Sequence, residues 1–411
     1  MTELQLTTEL PALSPDIPVD DVPESLHAGQ ESDSQASLNH GSSVALRRVL
    51  HVINGEHYAG AEKVQDLLGL GLGACGFEVA FACLKPENFP VMRQSQEATL
   101  LEATMRSRLD LRPAFQLARE IREGGYELVH THTPRAALVG QLAARLAKVP
   151  LVHHVHGQTL VEVGRRGISW ISAKVERMSL RRASRLIAVS SSSANYLCEQ
   201  GFDRDRIAIV PNGVPTPFTM RTSSPPRTGW TIGTIALFRP RKGTEVLLQA
   251  IASLRQQGLP VRLKAIGGFE TAEYEATVRA HVASLNIADA VEFIGFRQDV
   301  AAELTQLDAM VLPSLLAEGL PMVIIESMAA GVPVVGTRVP GITDVIRHDV
   351  DGLLAEPNNA DALAEQLSRL IHHEVDWSFL RENALSRHAE QYSSAAMARG
   401  VADIYREVLA E

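Results

Sequence analysis

Cysteine is scarce in this chain: Cys75, Cys83 and Cys198 are the only three in 411 residues, and their spacing suits no metal. They cannot build a disulfide framework, which points to a reducing compartment. No stretch approaches 18 consecutive apolar residues, so a membrane-spanning helix is not expected. Residues 1–44 hold eight acids and no Lys or Arg, and they are rich in Ser and Pro. They lack the positive start, apolar middle and small-residue cleavage site of a secretory signal. Such a composition buries too little apolar surface to offset the entropy of ordering it. The expectation is a disordered acidic tail over 1–44 on a cytosolic protein.

The rest is ordinary globular material. With 45% hydrophobic and 21% charged residues, a wholly disordered, collagen-like or multi-span chain is excluded. At about 150 residues per domain, this length implies two or three domains. The net charge of −9 is uneven: residues 45–215 hold 22 bases against 16 acids, inside an otherwise acidic protein. Seven of those bases fall within residues 161–185, so the positive field is focused and suits an anionic partner other than nucleic acid.

From Arg47, short Val/Ile/Leu runs (RRVLHVI, EVAFACL, ELVHTH, PLVHHVHG, RLIAVS, RIAIVPNG) alternate with helical patterns. Continuous apolar runs separated by helices predict parallel strands buried on both faces. After PTPFTMRTSSPPRTG, which reads as a linker, the alternation resumes with WTIGTIALF, VRLKAIGG, AVEFIGF, DAMVLPS and VPVVGT. The fold class is therefore α/β, with two doubly wound Rossmann-like domains over 45–215 and 216–390. Their strand carboxyl ends would face a cleft, where ligands of open α/β sheets bind. The chain ends in two helical patterns that could pack back across the first domain, with residues 391–411 as the returning helix.

The segment LPSLLAEGLPMVIIESMAAGVPVVGT is the most informative. A strand through Val311 and Leu312 leads through a loop to a helix predicted over Pro321–Ala330. Pro321 suits its first position, and Gly331 suits the left-handed position after it. Ahead of Pro321, the backbone N–H groups of Gly319 and Leu320 would meet a phosphate or sugar oxygen at the positive end of the helix dipole. Glu318 and Glu326 would repel phosphate, but they can accept hydrogen bonds from hydroxyls on either side of one. A nucleotide-sugar presents such hydroxyls, on hexose at one end and ribose at the other.

EGLPMVIIE, followed by AAGVPVVGTRVPGITDVI and DGLLAEP, resembles the donor-binding half of the family-4 retaining glycosyltransferases of GT-B fold. The resemblance extends over roughly residues 47–409. It implies that Glu318 contacts the transferred sugar and Glu326 the ribose. ALFRPRKG resembles the segment whose Arg and Lys neutralise the donor diphosphate. Lys242 falls on the family Lys, while Leu237 stands where Arg is usual, so Arg239 or Arg241 would supply the second charge. HYAGAEK resembles the glycine-rich loop after the first strand, with Gly60 and Ala61 matching and Ala59 in place of Gly. His156 matches the strand-end His that faces the donor sugar. PNGV resembles the domain junction, with Pro215 where Asp is common. In VPGITDVI, Pro340 and Gly341 match the loop beside the phosphates, and Asp344 replaces Glu.

Five histidines, His130, His132, His153, His154 and His156, crowd two strand ends, where alternate residues share a face. Neither end carries an Asp or Glu, and no helix carries His-Glu-x-x-His, so no metal is expected. The pairs Asp203/Asp205 and Asp349/Asp351 precede strands, at the wrong end for the cleft. In 161–185, Arg165, Arg166, Lys174, Arg177 and Arg181 interleave with Trp170 and aliphatics. This pattern suits either an anchor at an anionic membrane surface or a helix packed by its apolar face.

The expected reaction is retaining transfer of a hexose-type sugar from a nucleoside-diphosphate sugar to a sugar or lipid-linked acceptor hydroxyl. Lys242 and the helix dipole would stabilise the leaving diphosphate, and His156 and Glu318 would position the sugar. The resemblance implies surface polysaccharide, lipopolysaccharide or glycolipid synthesis. Alternatives are an epimerase or inverting transferase on the same fold, a non-catalytic sugar-nucleotide binder, and a dehydrogenase. The last lacks its Gly-x-Gly-x-x-Gly after the first strand.

Overall fold

The computed structural model describes residues 46–58, 60–107, 110–156, Arg177 and 180–410. The first sheet comprises β1 (Arg47–Ile53), β2 (Phe77–Cys83), β3 (Thr99–Glu102), β4 (Leu128–Thr131), β5 (Leu151–Val155), β6 (Arg185–Ala188) and β7 (Ile207–Ile209). It is wholly parallel, in the order β3-β2-β1-β4-β5-β6-β7. The second sheet comprises β8 (Trp230–Ile235), β9 (Val261–Ile266), β10 (Val291–Gly295), β11 (Ala309–Leu312), β12 (Val334–Thr337) and β13 (Leu353–Ala355). Its order is β10-β9-β8-β11-β12-β13, again parallel. These are the two doubly wound sheets that the apolar runs predict. The short strands β3 and β13 were not among the expected ones.

Alternation along β1 shows how both faces are covered. Leu50 and Val52 pack with Ala114 and Leu117 of helix α2 (Arg112–Glu123) and with Ala136 and Val139 of α3 (Pro134–Ala147). Val49 and Ile53 point the other way, onto Val64 and Leu68 of α1 (Gly60–Gly71). In the second sheet, Val311 faces Leu247 and Ile251 of α5 (Thr244–Gln256), whereas Met310 and Leu312 face Ile324 and Met328 of α7 (Met322–Ala330). Burying each such side chain contributes about 1.5–3 kcal/mol. Helix α4 (Ser191–Glu199) follows β6, and α6 (Ala272–Ser284) and α8 (Ala360–Ile371) complete the cover of the second sheet.

Of the two helical patterns at the chain end, only the second returns to the first sheet. Helix α9 (Trp377–Arg387) stays with the second sheet, where the Trp377 indole donates to the Asp308 carbonyl at 2.8 Å. A five-residue wider turn, His388–Tyr392, then bends the chain, and only α10 (Ser394–Ala410) reaches the first sheet. Its Met397, Val401 and Tyr405 join the α1 face of that sheet. The two crossings run side by side: Val214 N–H donates to Tyr392 O at 2.9 Å, and Ser394 N–H donates to Val214 O at 3.0 Å. Gly213 has to be glycine, because a Cβ there would lie 2.3 Å from the Ser393 carbonyl oxygen.

Candidate active site

Three loops at carboxyl ends of the second sheet converge on Glu318. The loop after β11 carries Ser314 and Glu318, the loop after β8 carries Arg241 and Lys242, and the loop after β12 carries Pro340 and Gly341. Backbone bonds knit them: Leu315 N–H to Arg241 O at 2.9 Å, and Glu318 N–H to Pro340 O at 2.9 Å. The Thr337 hydroxyl donates to Ser314 O at 2.6 Å. Gly341 makes the close approach possible. Its φ is +87°, and a Cβ would lie 2.2 Å from Glu318 O. Gly341→Ala is therefore expected to cost at least about 2 kcal/mol and to displace Glu318. Thermal unfolding with and without a nucleoside diphosphate would measure both effects.

Glu318 is buried, and one of its oxygens is heavily used. Oε1 accepts from Lys242 Nζ at 2.6 Å, from Ser314 Oγ at 2.6 Å and from Arg241 at 3.3 Å. Among the described residues, Oε2 has no hydrogen-bond partner and is left for a ligand. Burial works against the carboxylate. The Lys242 charge and the bonds from Lys242 and Ser314 overcome it and hold Glu318 below the usual carboxylate range. Burial pulls Lys242 down as well, and its nearness to Glu318 only partly offsets that. The pair is largely buried and is held by protein charges.

The helix behind it begins at Met322. Pro321 is its cap and not its first helical residue, because ψ of 105° keeps Pro321 extended while its carbonyl accepts from Ile324 N–H at 3.0 Å. Gly331 closes the helix in the left-handed conformation, φ 71°, as the sequence predicts. Among the described residues, no protein acceptor takes the N–H of Gly319 or Leu320, so both are free for an anion at the positive end of α7. Leu320 buries its side chain in the core beneath. Glu326, one turn into α7, is partly exposed. Burial raises its pKa, and Lys63 of α1 is the opposite charge that moderates the rise.

Arg239 and Arg241 divide differently from the choice of Arg239 as the donor-side cation. Arg239 pairs with Glu270 at 3.5 Å, and Arg241 turns to Glu318 at 3.3 Å. Arg239 precedes the turn Pro240–Lys242 in an extended conformation, while Arg241 lies within it, so the cation beside Lys242 is Arg241. Leu237 is exposed. Gly60 opens α1, and a Cβ there would meet nothing within 4 Å. Ala61 follows it and accepts from the Gln65 side chain at 3.0 Å. Ala59 lies outside the described residues, as do Arg165, Arg166, Trp170 and Lys174; Arg177 and Arg181 are exposed.

Across the cleft, the first sheet presents its own carboxyl ends. The Ser190 hydroxyl, capping α4, donates to Gly319 O at 3.0 Å, and Ser192 N–H donates to Asp344 at 3.1 Å. Sequence reasoning missed one group there. Glu56, after β1, pairs with Lys85 at 2.8 Å and Arg135 at 3.5 Å. The Lys85 bond takes the Glu56 pKa down to about 2. Arg135 stands at the start of α3, just after β4, which was the available signal.

His156 directly follows β5, with its Nε2 3.1 Å from His132 Nδ1. Its ring stacks on His154 at 4.4 Å between centroids, and burial lowers its pKa to about 4. The strand order brings more imidazoles together than the two motifs suggest, because His51 of β1 is the direct register partner of His130 on β4. Burial holds His51, His130, His132 and His154 neutral.

Two family models match the chain: Glycosyl transferases group 1 over residues 217–392, and Glycosyltransferase Family 4 over residues 58–217. The chain belongs to these glycosyltransferases. The glycosyltransferase is 31% identical over 204 residues to Escherichia coli (strain K12) WcaL, provisionally named a colanic acid biosynthesis glycosyltransferase. That match spans 48% of this chain and only 50% of WcaL. It is 22% identical to the E. coli UDP-Gal:alpha-D-GlcNAc-diphosphoundecaprenol alpha-1,3-galactosyltransferase, over 73% of this chain and 80% of that one. The crystal structure of Anabaena HepE in complex with UDP matches it with a TM-score of 0.76 at 20% identity, covering 88% of this chain and 100% of that one. The fold is therefore GT-B, as the resemblance implied, and the dehydrogenase reading is displaced.

Proposed function

We propose that this glycosyltransferase moves a hexose-type sugar, with retention, from a nucleoside-diphosphate sugar to an acceptor hydroxyl in cell-surface polysaccharide, lipopolysaccharide or glycolipid synthesis. The observation that carries the proposal is the Lys242–Glu318 pair, 2.6 Å apart at the end of α7 beside two unpaired N–H groups. Lys242, Arg241 and the dipole of α7 neutralise the departing diphosphate, so the transfer needs no metal cofactor. Glu318 Oε2 accepts from a hydroxyl of the transferred sugar, Glu326 holds the ribose, and His156 bounds the sugar from the other domain. On this reading Glu318 and Glu326 bind donor hydroxyls and neither acts as the nucleophile. The acceptor hydroxyl therefore attacks the anomeric carbon on the face the diphosphate leaves, and its proton passes to a departing phosphate oxygen. The solved complexes of HepE with UDP and with UDP-glucose support a uridine donor. The galactosyltransferase relative supports a lipid-diphosphate-linked acceptor.

Incubation with a panel of nucleotide-sugars and extracted lipid acceptors, read by mass spectrometry, tests the reading. A product heavier by one hexose, with α-linkage from an α-donor, is expected. Nucleotide binding without any product would leave only a binder.

No helix among the described residues is long and apolar enough to cross a membrane. A cytoplasmic enzyme on the inner membrane face would meet lipid acceptors through the basic segment that contains Arg177 and Arg181. Changing both to Glu is expected to remove most co-sedimentation with anionic vesicles at low salt. Unchanged co-sedimentation would refute the anchor.

A further inference from the structure

The chemistry above leaves unused a buried histidine cluster at the centre of the first sheet. His51 on β1 stands directly beside His130 on β4, and His132 follows two residues on, on the same face. Tyr405 of α10 lies over them: its hydroxyl is 2.9 Å from His51 Nε2 and 2.6 Å from His130 Nδ1. The phenol oxygen has two lone pairs and can accept from both rings, from His51 Nε2–H and His130 Nδ1–H, which leaves the inward nitrogen of each ring unprotonated. His132 Nδ1 is held by His156 Nε2 at 3.1 Å. Each of the three rings thus has one nitrogen tied to an outer partner and the other turned inward. His51 Nδ1 and His132 Nε2 face each other at 3.3 Å, and among the described residues the buried His130 Nε2 has no hydrogen-bond partner. One ring nitrogen from each histidine lies within 4.8 Å of one from each of the others.

Three ring nitrogens converging in this way could hold a metal ion. Two ligands at about 2.0–2.1 Å from a tetrahedral zinc are about 3.3–3.4 Å apart, the separation seen here between His51 and His132. Metal-bound histidines also anchor their second nitrogen in an outer shell, as Tyr405 and His156 do here. We propose that His51, His130 and His132 bind a divalent first-row transition-metal ion, zinc by ligand type, with Tyr405 as their outer-shell support. The ion satisfies the orphaned His130 nitrogen and ties β1 and β4, through Tyr405, to the returning helix α10. Its place is structural, within the sheet, and the sugar-transfer step does not pass through it. The sequence argument against a metal was the missing carboxylate and the missing helix-borne His-Glu-x-x-His; a ligand set of three imidazoles contains neither.

The test uses the full-length protein without a polyhistidine tag. Metal analysis after dialysis against a mild chelator is expected to find about one zinc per chain. Cobalt(II) added to the stripped protein is expected to give the visible absorption of a tetrahedral site. His130→Ala should lose the metal and the cobalt spectrum. His153→Ala should keep both, because His153 bonds instead to Thr131 at 2.8 Å. Tyr405→Phe should weaken zinc affinity about 10–100-fold. Wild-type protein that binds neither zinc nor cobalt while folded would overturn the proposal. So would metal that persists in folded His130→Ala.

Discussion

Glu318→Gln is expected to lower kcat by at least about 10²-fold while leaving the affinity for a free nucleoside diphosphate undiminished. The amide keeps the size of the side chain and can still accept from Lys242 and Ser314, so the three loops stay together. On the proposed reading, what it loses is a negative charge toward the sugar, where positive charge develops at the anomeric carbon. That same charge repels phosphate, so its removal does not weaken binding of the leaving nucleotide. Glu318→Ala is a harsher change. It leaves Lys242, with only 14% of its side chain exposed, without a counter-charge, and the melting temperature should fall together with activity. Isothermal titration with UDP or GDP and single-turnover kinetics separate the two effects. Equal losses in binding and in kcat would show that Glu318 holds the diphosphate site together and has no role toward the sugar.

Lys242→Ala is expected to produce the second large effect, a fall of about 10²–10³-fold in kcat/KM together with weakened nucleotide binding. The leaving diphosphate loses its nearest point charge, and Arg241 alone remains to meet it. The variant should also acquire an acid limb. In the native protein the Lys242 charge helps hold the Glu318 pKa low, so the carboxylate persists as pH falls. Without Lys242, burial acts against the carboxylate with less opposition, its pKa rises, and activity declines at a higher pH than in the native enzyme. Lys242→Arg should restore the flat acid side while recovering only part of the rate, because a guanidinium does not reproduce the ammonium's position. A pH profile unchanged between native protein and Lys242→Ala would contradict the pairing.

The elements that position this candidate site were legible because each is bound to a local signal. Pro321 and Gly331 bracket α7, and the apolar run of β11 puts Ser314 and Glu318 at a strand end, as the sequence pattern requires. The choice between Arg239 and Arg241 was not legible. Arg239 precedes the tight turn and Arg241 lies within it, and only the folded turn sends one to Glu270 and the other to Glu318. The histidine cluster was half legible. Alternation shows that His130 and His132 share a face, but the adjacency of β1 and β4 comes from strand order, which no local pattern encodes. Tyr405, more than 270 residues away from His130, reaches the cluster only because α10 crosses back.

The most direct test is a crystal structure with UDP or GDP, or with the intact nucleotide-sugar, bound. The diphosphate should lie about 3 Å from Lys242 Nζ and from the N–H groups of Gly319 and Leu320, with Glu326 on the ribose and Glu318 Oε2 toward the sugar. A nucleotide seated elsewhere, with Lys242 and Glu318 still closed on each other and no phosphate at the start of α7, would contradict the assignment.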